Sequence, residues 1–312
     1  METFLYQYEN VEVYRKFVDF LGKKTSEIKE VIDIPFLPIE MFKNHLVLDK
    51  VFDSAQTDKP LSYFQSSGTT QIQTRSKHYI ADFNLYEESI YKSFEQFIGK
   101  PEDYIFLGLL PNYSENPHSS LIYMVDDLIK HSEQKESNYF LYNHQDLFEV
   151  LQQLKEKGTK TVLFGVTYAL LDFVEQYSID FPELIIMETG GMKGKRKEMI
   201  REELHAILKA GFGVPAIHSE YGMTELMSQA YSKGDGKFSL PLPMRILLRD
   251  VNDPYSQTAK SQGGINVIDL GNFHSCAFIE TQDLGKIDEN GMLEVLGRFD
   301  NSELRGCNLL VQ

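Results

Sequence analysis

The sequence predicts an α/β protein whose layered sheets are flanked by helices and whose chain closes in a β-rich subdomain. From about Tyr63 to Gly234, short apolar runs alternate with stretches of helical periodicity, as a mixed or parallel sheet covered by helices reads. After about Gly234 the helical pattern stops, and apolar stretches are parted by turn signals such as Gln-Gly-Gly and Glu-Asn-Gly. The 312 residues, 42% hydrophobic and 25% charged, can bury a sizeable core, and at ~150 residues per domain they suggest two units or one large body. The expected division is residues 1–234 as the layered core and 235–312 as the β-rich subdomain with a short tail.

In chain order, Val11, Val13, Tyr14, Phe17, Val18 and Leu21 recur near helical spacing and predict a helix over 9–21. Pro35 and Pro38 hold IDIPFLPIEMFK in extended geometry, as a loop leading to a strand. YIFLGLLP (104–111), TVLFG (161–165) and ELIIMETGG (183–191) read as buried strands, with helices over 82–98, 119–130, 145–157, 167–177 and 195–210. In the last of these Met199, Ile200, Leu204, Ile207 and Leu208 form an apolar face. The closing region offers FSLPLPMRILLRDV, GGINVIDL, CAFIETQDLG and MLEVLGR as strands. No repeat and no low-complexity tract is visible.

Charge and composition exclude several functions. Thirty-one basic against 46 acidic side chains leave a net charge of −15, a field that repels phosphodiester backbones and anionic bilayers. Nucleic-acid and membrane partners are therefore not expected. Two cysteines, Cys276 and Cys307, are too few for a disulfide framework or a zinc knuckle. The N-terminus carries acidic and aromatic residues where a secretory signal carries a basic region and an apolar run. A cytoplasmic protein is expected.

Three segments could carry chemistry. SSGTTQIQTRSKHYIAD (66–82) places small hydroxyl residues around a glycine, so that backbone amides and hydroxyls can meet a polyphosphate. It has neither the spacing nor the helix of a Walker loop, and a polar hairpin turn is the alternative. HSEYGMTELMSQAYS (218–232) offers the Tyr221 ring for a base, the Thr224 hydroxyl and, in Glu225, a hard oxygen suited to Mg²⁺. A turn ahead of a helix cap would look the same. Asp283 in IETQDLG and Arg298 in GRFDNSELRGC could hold the hydroxyls of a ribose, or Asp283 could cap a turn at Asp-Leu-Gly.

Taken in order, SSGTT, GG, YGMTE, TQDLG and GRFDNSELRGC resemble the adenylate-forming superfamily of acyl-activating enzymes, and within it the acyl-protein synthetase (LuxE-like) family, from about residue 60 onward. The resemblance implies the large N-terminal domain of that fold, with ATP and Mg²⁺ as cofactors. It assigns Ser66, Ser67, Gly68, Thr69 and Thr70 to the loop over the β- and γ-phosphates. Gly190 and Gly191 would pass close to the adenine; Tyr221, followed by Gly222, would stack on it. Thr224 would touch the α-phosphate, Glu225 would hold the metal, and Asp283 and Arg298 would hold the ribose. Asp300 falls at the superfamily's hinge. Gln71 stands where a glycine is usual, and Lys77 is only a loose substitute for the loop lysine. The sequence stops at Gln312, so the mobile C-terminal lid domain with its catalytic lysine is expected to be absent. The lysine's role would pass to Lys77, Lys193, Arg305 or a partner.

The family's pattern ends in an acyl-accepting cysteine, and Cys307 occupies that place, with Arg305 nearby to favour the thiolate. Read without the resemblance, Cys307 is a small apolar residue of a closing strand, and Cys276 is core. His118 would line the acyl pocket by the same resemblance, or cap the next helix. The basic run Lys193, Lys195, Arg196 and Lys197 could meet an acidic carrier or reductase, or be a solvated face. The expected function is ATP-dependent activation of a small carboxylic acid as an acyl-adenylate. Transfer to a thiol follows, to Cys307 and then an acyl-accepting protein. The alternatives are a phenylacetate-type acyl-CoA or carrier-protein ligase, a non-catalytic nucleotide-binding scaffold, and an acyltransferase that uses preformed donors.

Overall fold

Apolar runs long enough for a strand but lacking polar alternation fold here as parallel strands buried on both faces, the arrangement that such runs require. The computed structural model describes residues 1–52, 61–67, 75–111, 116–190, 199–251 and 261–298. Helices α1 (Glu2–Asn10) and α2 (Glu12–Phe20) open the chain, followed by β1 (Leu37–Pro38), α3 (Met41–Asn44), β2 (Tyr63–Gln65) and β3 (Lys77–Tyr79). Then come α4 (Phe83–Phe97), β4 (Ile105–Leu109), α5 (Ser120–Ser132), β5 (Asn138–Tyr139), α6 (His144–Lys157), β6 (Thr161–Val166), α7 (Thr167–Val174), β7 (Ile185–Thr189) and α8 (Arg201–Phe212). Strands β8 (His218–Tyr221), β9 (Ala230–Ser232), β10 (Lys237–Ser239), β11 (Met244–Arg249), β12 (Gln262–Asp269), β13 (Phe278–Ile287) and β14 (Leu293–Arg298) complete it.

The described residues fall into two units. One takes Met1–Tyr63, Ser76–Asp82 and the described residues from Leu242 on; the other takes those of Phe64–Arg75 and Phe83–Pro241. A boundary at 234 divides the chain differently, because the first 63 residues group with the closing strands and not with the helix-covered sheet.

In the second unit β5, β4, β6, β7 and β8 run parallel in that order, and β9 and β10 extend the sheet antiparallel. Every residue of β4 and β6 is buried. The helices obey their end signals. Ser119 accepts from the Ile122 amide at 3.3 Å to cap α5, so the cap is Ser119 and not His118. Asn143 accepts from the Asp146 amide to cap α6. The helix expected over 195–210 begins only at Arg201, with residues 195–198 outside the described residues. Its buried stripe is Leu204, His205, Leu208 and Phe212, whereas Ile200 is 68% exposed and Ile207 lies at the surface. A spacing of four residues keeps Leu204, Leu208 and Phe212 inward, whereas Ile200 precedes the helix and Ile207 turns outward.

In the first unit β11, β12, β13 and β14 form an antiparallel sheet, and β1 joins β13 in parallel. Phe4, Tyr14, Phe36 and Phe278 pack as one aromatic core with ring centroids 6.1–6.3 Å apart. Arg249, the last residue of β11, is buried. Its guanidinium donates to the Ile265 carbonyl (2.9 Å), Asn266 Oδ1 (3.0 Å) and the Thr281 carbonyl (2.6 Å), and its Nε lies 3.5 Å from Glu280. Burying a cation is tolerable only with its donors met in this way. Cys276 is fully buried, which pushes its thiol up to about 12; it is core, as expected.

Candidate active site

Parallel strands deliver their following loops to one edge, and ligands of such sheets sit there. In the second unit that edge is set by register. Leu109 pairs with Gly165, Val166 with Thr189, and Thr189 with Glu220. The residues that leave β6, β7 and β8 are thus neighbours: Thr167, then Gly190, then Gly222 with Thr224 and Glu225.

Gly190 leaves β7 with φ +66°, a left-handed conformation that glycine adopts without a Cβ penalty. Tyr221 ends β8 only 9% exposed, its ring centroid 5.9 Å from Phe238 at 57°. Gly222 follows where a Cβ would lie 2.3 Å from Glu220 Oε1. The preceding VPAI is not a strand; β8 begins at His218, so the motif is itself the strand and its exit. No helix starts at Thr224 or Glu225, which removes the helix-cap reading: the two form a turn, with Glu225 5% exposed.

The hydroxyl-rich segment begins in the same unit. Ser66 and Ser67 follow Gln65, whose amide donates to the His118 carbonyl at 2.8 Å. His118 is exposed. The start of this segment and the loop after β4 are therefore joined by a backbone hydrogen bond. Gly68, Thr69, Thr70, Gln71, Gly191, Lys193, Lys195, Arg196, Lys197, Asp300, Arg305 and Cys307 lie outside the described residues.

The remaining candidates belong to the first unit. Asp283 sits inside β13, not at a turn, directly opposite Arg298 of β14, whose Nε donates to Asp283 Oδ1 at 3.2 Å. Asp283 is 7% exposed and Arg298 largely open to solvent. Lys77 in β3 holds its Nζ 4.6 Å from the Tyr63 ring centroid, a cation–π contact.

Two carboxyls at this edge were not anticipated. Thr167 Oγ1 lies within hydrogen-bond reach of Glu188 Oε1 in β7 and of the Gly190 carbonyl at 2.6 Å. Glu220 in β8 accepts from Thr189 Oγ1 at 2.8 Å. Burial pushes Glu188 up, against the opposing pull of Thr167 and the Arg201 cation. Burial also drives Glu220 up to about 7, with Glu188 adding to it and Thr189 opposing. A signal for both existed: Glu188-Thr-Gly and Glu220-Tyr-Gly place a glutamate two residues before a glycine at the end of successive strands.

For a triphosphate with its cation, the donor chemistry is suitable. Thr224 offers a hydroxyl and Glu225 a hard oxygen, and Mg²⁺ carried on phosphates needs only one or two protein carboxylates. Among the described residues no three His, Cys, Asp or Glu side chains form a metal-binding group. No helix among them is long and apolar enough to cross a membrane.

The fold is similar to that of several solved structures. MatB from Rhodopseudomonas palustris with bound ATP superposes with a TM-score of 0.57 at 17% identity, over 76% of this chain and 47% of that one. An open form of 2-hydroxyisobutyryl-CoA ligase with 2-HIB-AMP and CoA gives 0.69 at 12% identity, over 95% and 67%. O-succinylbenzoate coenzyme A synthetase (MenE) from Bacillus subtilis, with ATP and magnesium, gives 0.51 at 19%, over 76% and 49%. The chain spans about half the length of MatB and MenE. It belongs to the LuxE acyl-protein synthetase family, whose model matches residues 1–312. No curated protein matches the sequence.

Proposed function

We propose that the chain binds ATP at the edge formed by the exits of β7 and β8 and uses it to activate a carboxylic acid. The observation that carries this is the in-register ending of those strands, which puts the Gly190 turn beside Tyr221, Gly222 and Thr224. Family membership and the folds of ATP-bound MatB and of MenE with ATP and magnesium support it. The adenine would lie between the Gly190 backbone and the open margin of Tyr221, with the phosphates toward Thr224, Ser66, Ser67 and the hydroxyl-rich segment. Glu225 would hold Mg²⁺, which supplies charge neutralisation at the phosphates. Asp283 and Arg298 would serve the ribose, and His118 the acid.

The acid's carboxylate oxygen attacks the α-phosphorus, and pyrophosphate leaves with the bonding electron pair. A thiolate then attacks the acyl carbon and AMP departs. Positioning and charge stabilisation supply most of such chemistry, and Lys77 is the candidate cation for the reacting oxygens. Cys307 is the first-choice acceptor, with onward transfer to a carrier or reductase. The test is acid-dependent exchange of pyrophosphate into ATP over a panel of carboxylic acids. Exchange with one class of acid is expected; ATP binding without exchange for any acid would leave a nucleotide-binding scaffold. A Cys307→Ser protein should form the adenylate but no thioester-linked label, and a persistent label would remove Cys307 from the path.

A further inference from the structure

Thr167 is 2% exposed and its hydroxyl faces two oxygens at once, Glu188 Oε1 and the Gly190 carbonyl at 2.6 Å. A threonine hydroxyl carries one hydrogen. Were Glu188 ionised, both neighbours would be acceptors. One of them would then press its lone pairs against the hydroxyl oxygen without a hydrogen between. A proton on Glu188 resolves this: the carboxyl donates to Thr167 Oγ1, and Thr167 donates to Gly190.

We propose that Glu188 is a positioning residue that carries a proton and, through the Thr167 hydroxyl, holds the Gly190 carbonyl and with it the left-handed turn at the exit of β7. That this turn borders a nucleotide rests on the function proposed above; the proton and the relay do not. The groups facing Glu188 are Thr167 from α7, the Arg201 cation from α8, and the Ser219 hydroxyl and Glu220 carboxyl from β8. Burial favours the neutral form of Glu188 over the combined pull of Thr167, Arg201 and Ser219. The relay leaves β7 with a fixed carbonyl direction at a glycine, which is otherwise the residue freest to rotate.

The experiment is infrared spectroscopy of the whole chain in heavy water at neutral pH, reading the C=O stretch of neutral carboxyl groups. Glu220→Gln serves as the background so that Glu220 cannot contribute. A neutral-carboxyl band is expected in that protein and should vanish on adding Glu188→Gln. Thr167→Val should shift the band as its acceptor is lost, and Thr167→Ser should restore it. If Glu188→Gln removes no such band, the carboxyl is ionised and the proposal is overturned. In the ATP-binding assay Thr167→Val should weaken affinity roughly fivefold to tenfold, the size of one lost hydrogen bond, with Thr167→Ser close to wild type. A relay visible in the infrared in a protein that binds no nucleotide would retire the proposed function and leave the proton on Glu188 standing.

Discussion

The two units bury charge in opposite ways. In the antiparallel unit Arg249 ends β11 with its donors answered by β12 and β13, a fixed charge met by partners. In the parallel unit Glu188 and Glu220 stand at the ends of strands, and burial favours their neutral forms. The saturated cation ties strands together; the carboxyls, each beside a threonine and a glycine exit, shape the edge where loops gather. Burial alone therefore does not separate structural from site-forming charges. Position along the strand and the completeness of the partner set do.

The contrast breaks first at Arg249. Replacing it by methionine strands the Thr281 carbonyl and the Glu280 carboxylate, and should cost ~3 to 5 kcal/mol in urea unfolding. A loss under ~1 kcal/mol would mean the guanidinium ties nothing together.

Glu220 is sharpened by pH. Its folded value is raised from 4.5 to about 7, so its contribution to stability is fully present below about 4.5. It is lost as pH rises toward about 7, because the unfolded chain gives up its proton first. Wild-type stability should fall by ~3 kcal/mol across that window, and Glu220→Gln should lack this part of the slope. Parallel pH profiles for the two proteins would show that Glu220 is ionised in the fold.

Gly222→Ala comes next, since its Cβ must displace Glu220 Oε1. ATP binding measured by calorimetry should weaken about tenfold, or ~1.4 kcal/mol, while thermal stability falls by only ~1 kcal/mol. Unchanged binding would move the nucleotide away from this exit. The smallest effect is expected at Asp283→Asn. Its partner Arg298 is largely solvent-exposed, so stability should change by less than ~1 kcal/mol, and a raised KM for ATP would be the sign that the pair holds the sugar.

Strands β4, β6 and β7 were legible because continuous apolar runs bounded by turn residues have few other readings, whereas β5 and β8 carry no such run. The start of α8 was not, since Met199 and Ile200 extend its apolar periodicity beyond its N-terminus. The grouping of the first 63 residues with the closing strands was equally hidden, because sequence order says nothing about long-range packing. Within the site, Tyr221, Thr224 and Glu225 were visible as chemical types at a strand exit. Glu188, Glu220 and Thr167 were passed over because a buried polar group has no periodicity of its own and its partners come from other strands.

Gln7 is fully buried, and its amide donates to the Asn272 and Phe273 carbonyls at 2.9 Å each and accepts from the Ala277 amide at 2.9 Å. The opening helix is thus stitched to residues 265 to 270 positions further along the chain. During synthesis α1 must wait, its amide side chain without those three mates, while the intervening helix-covered sheet is produced and can condense by itself. A ribosome stalled before residue 270 would hold a first helix whose Gln7 lacks its partners, and chaperone occupancy of such nascent chains should drop once that stretch emerges.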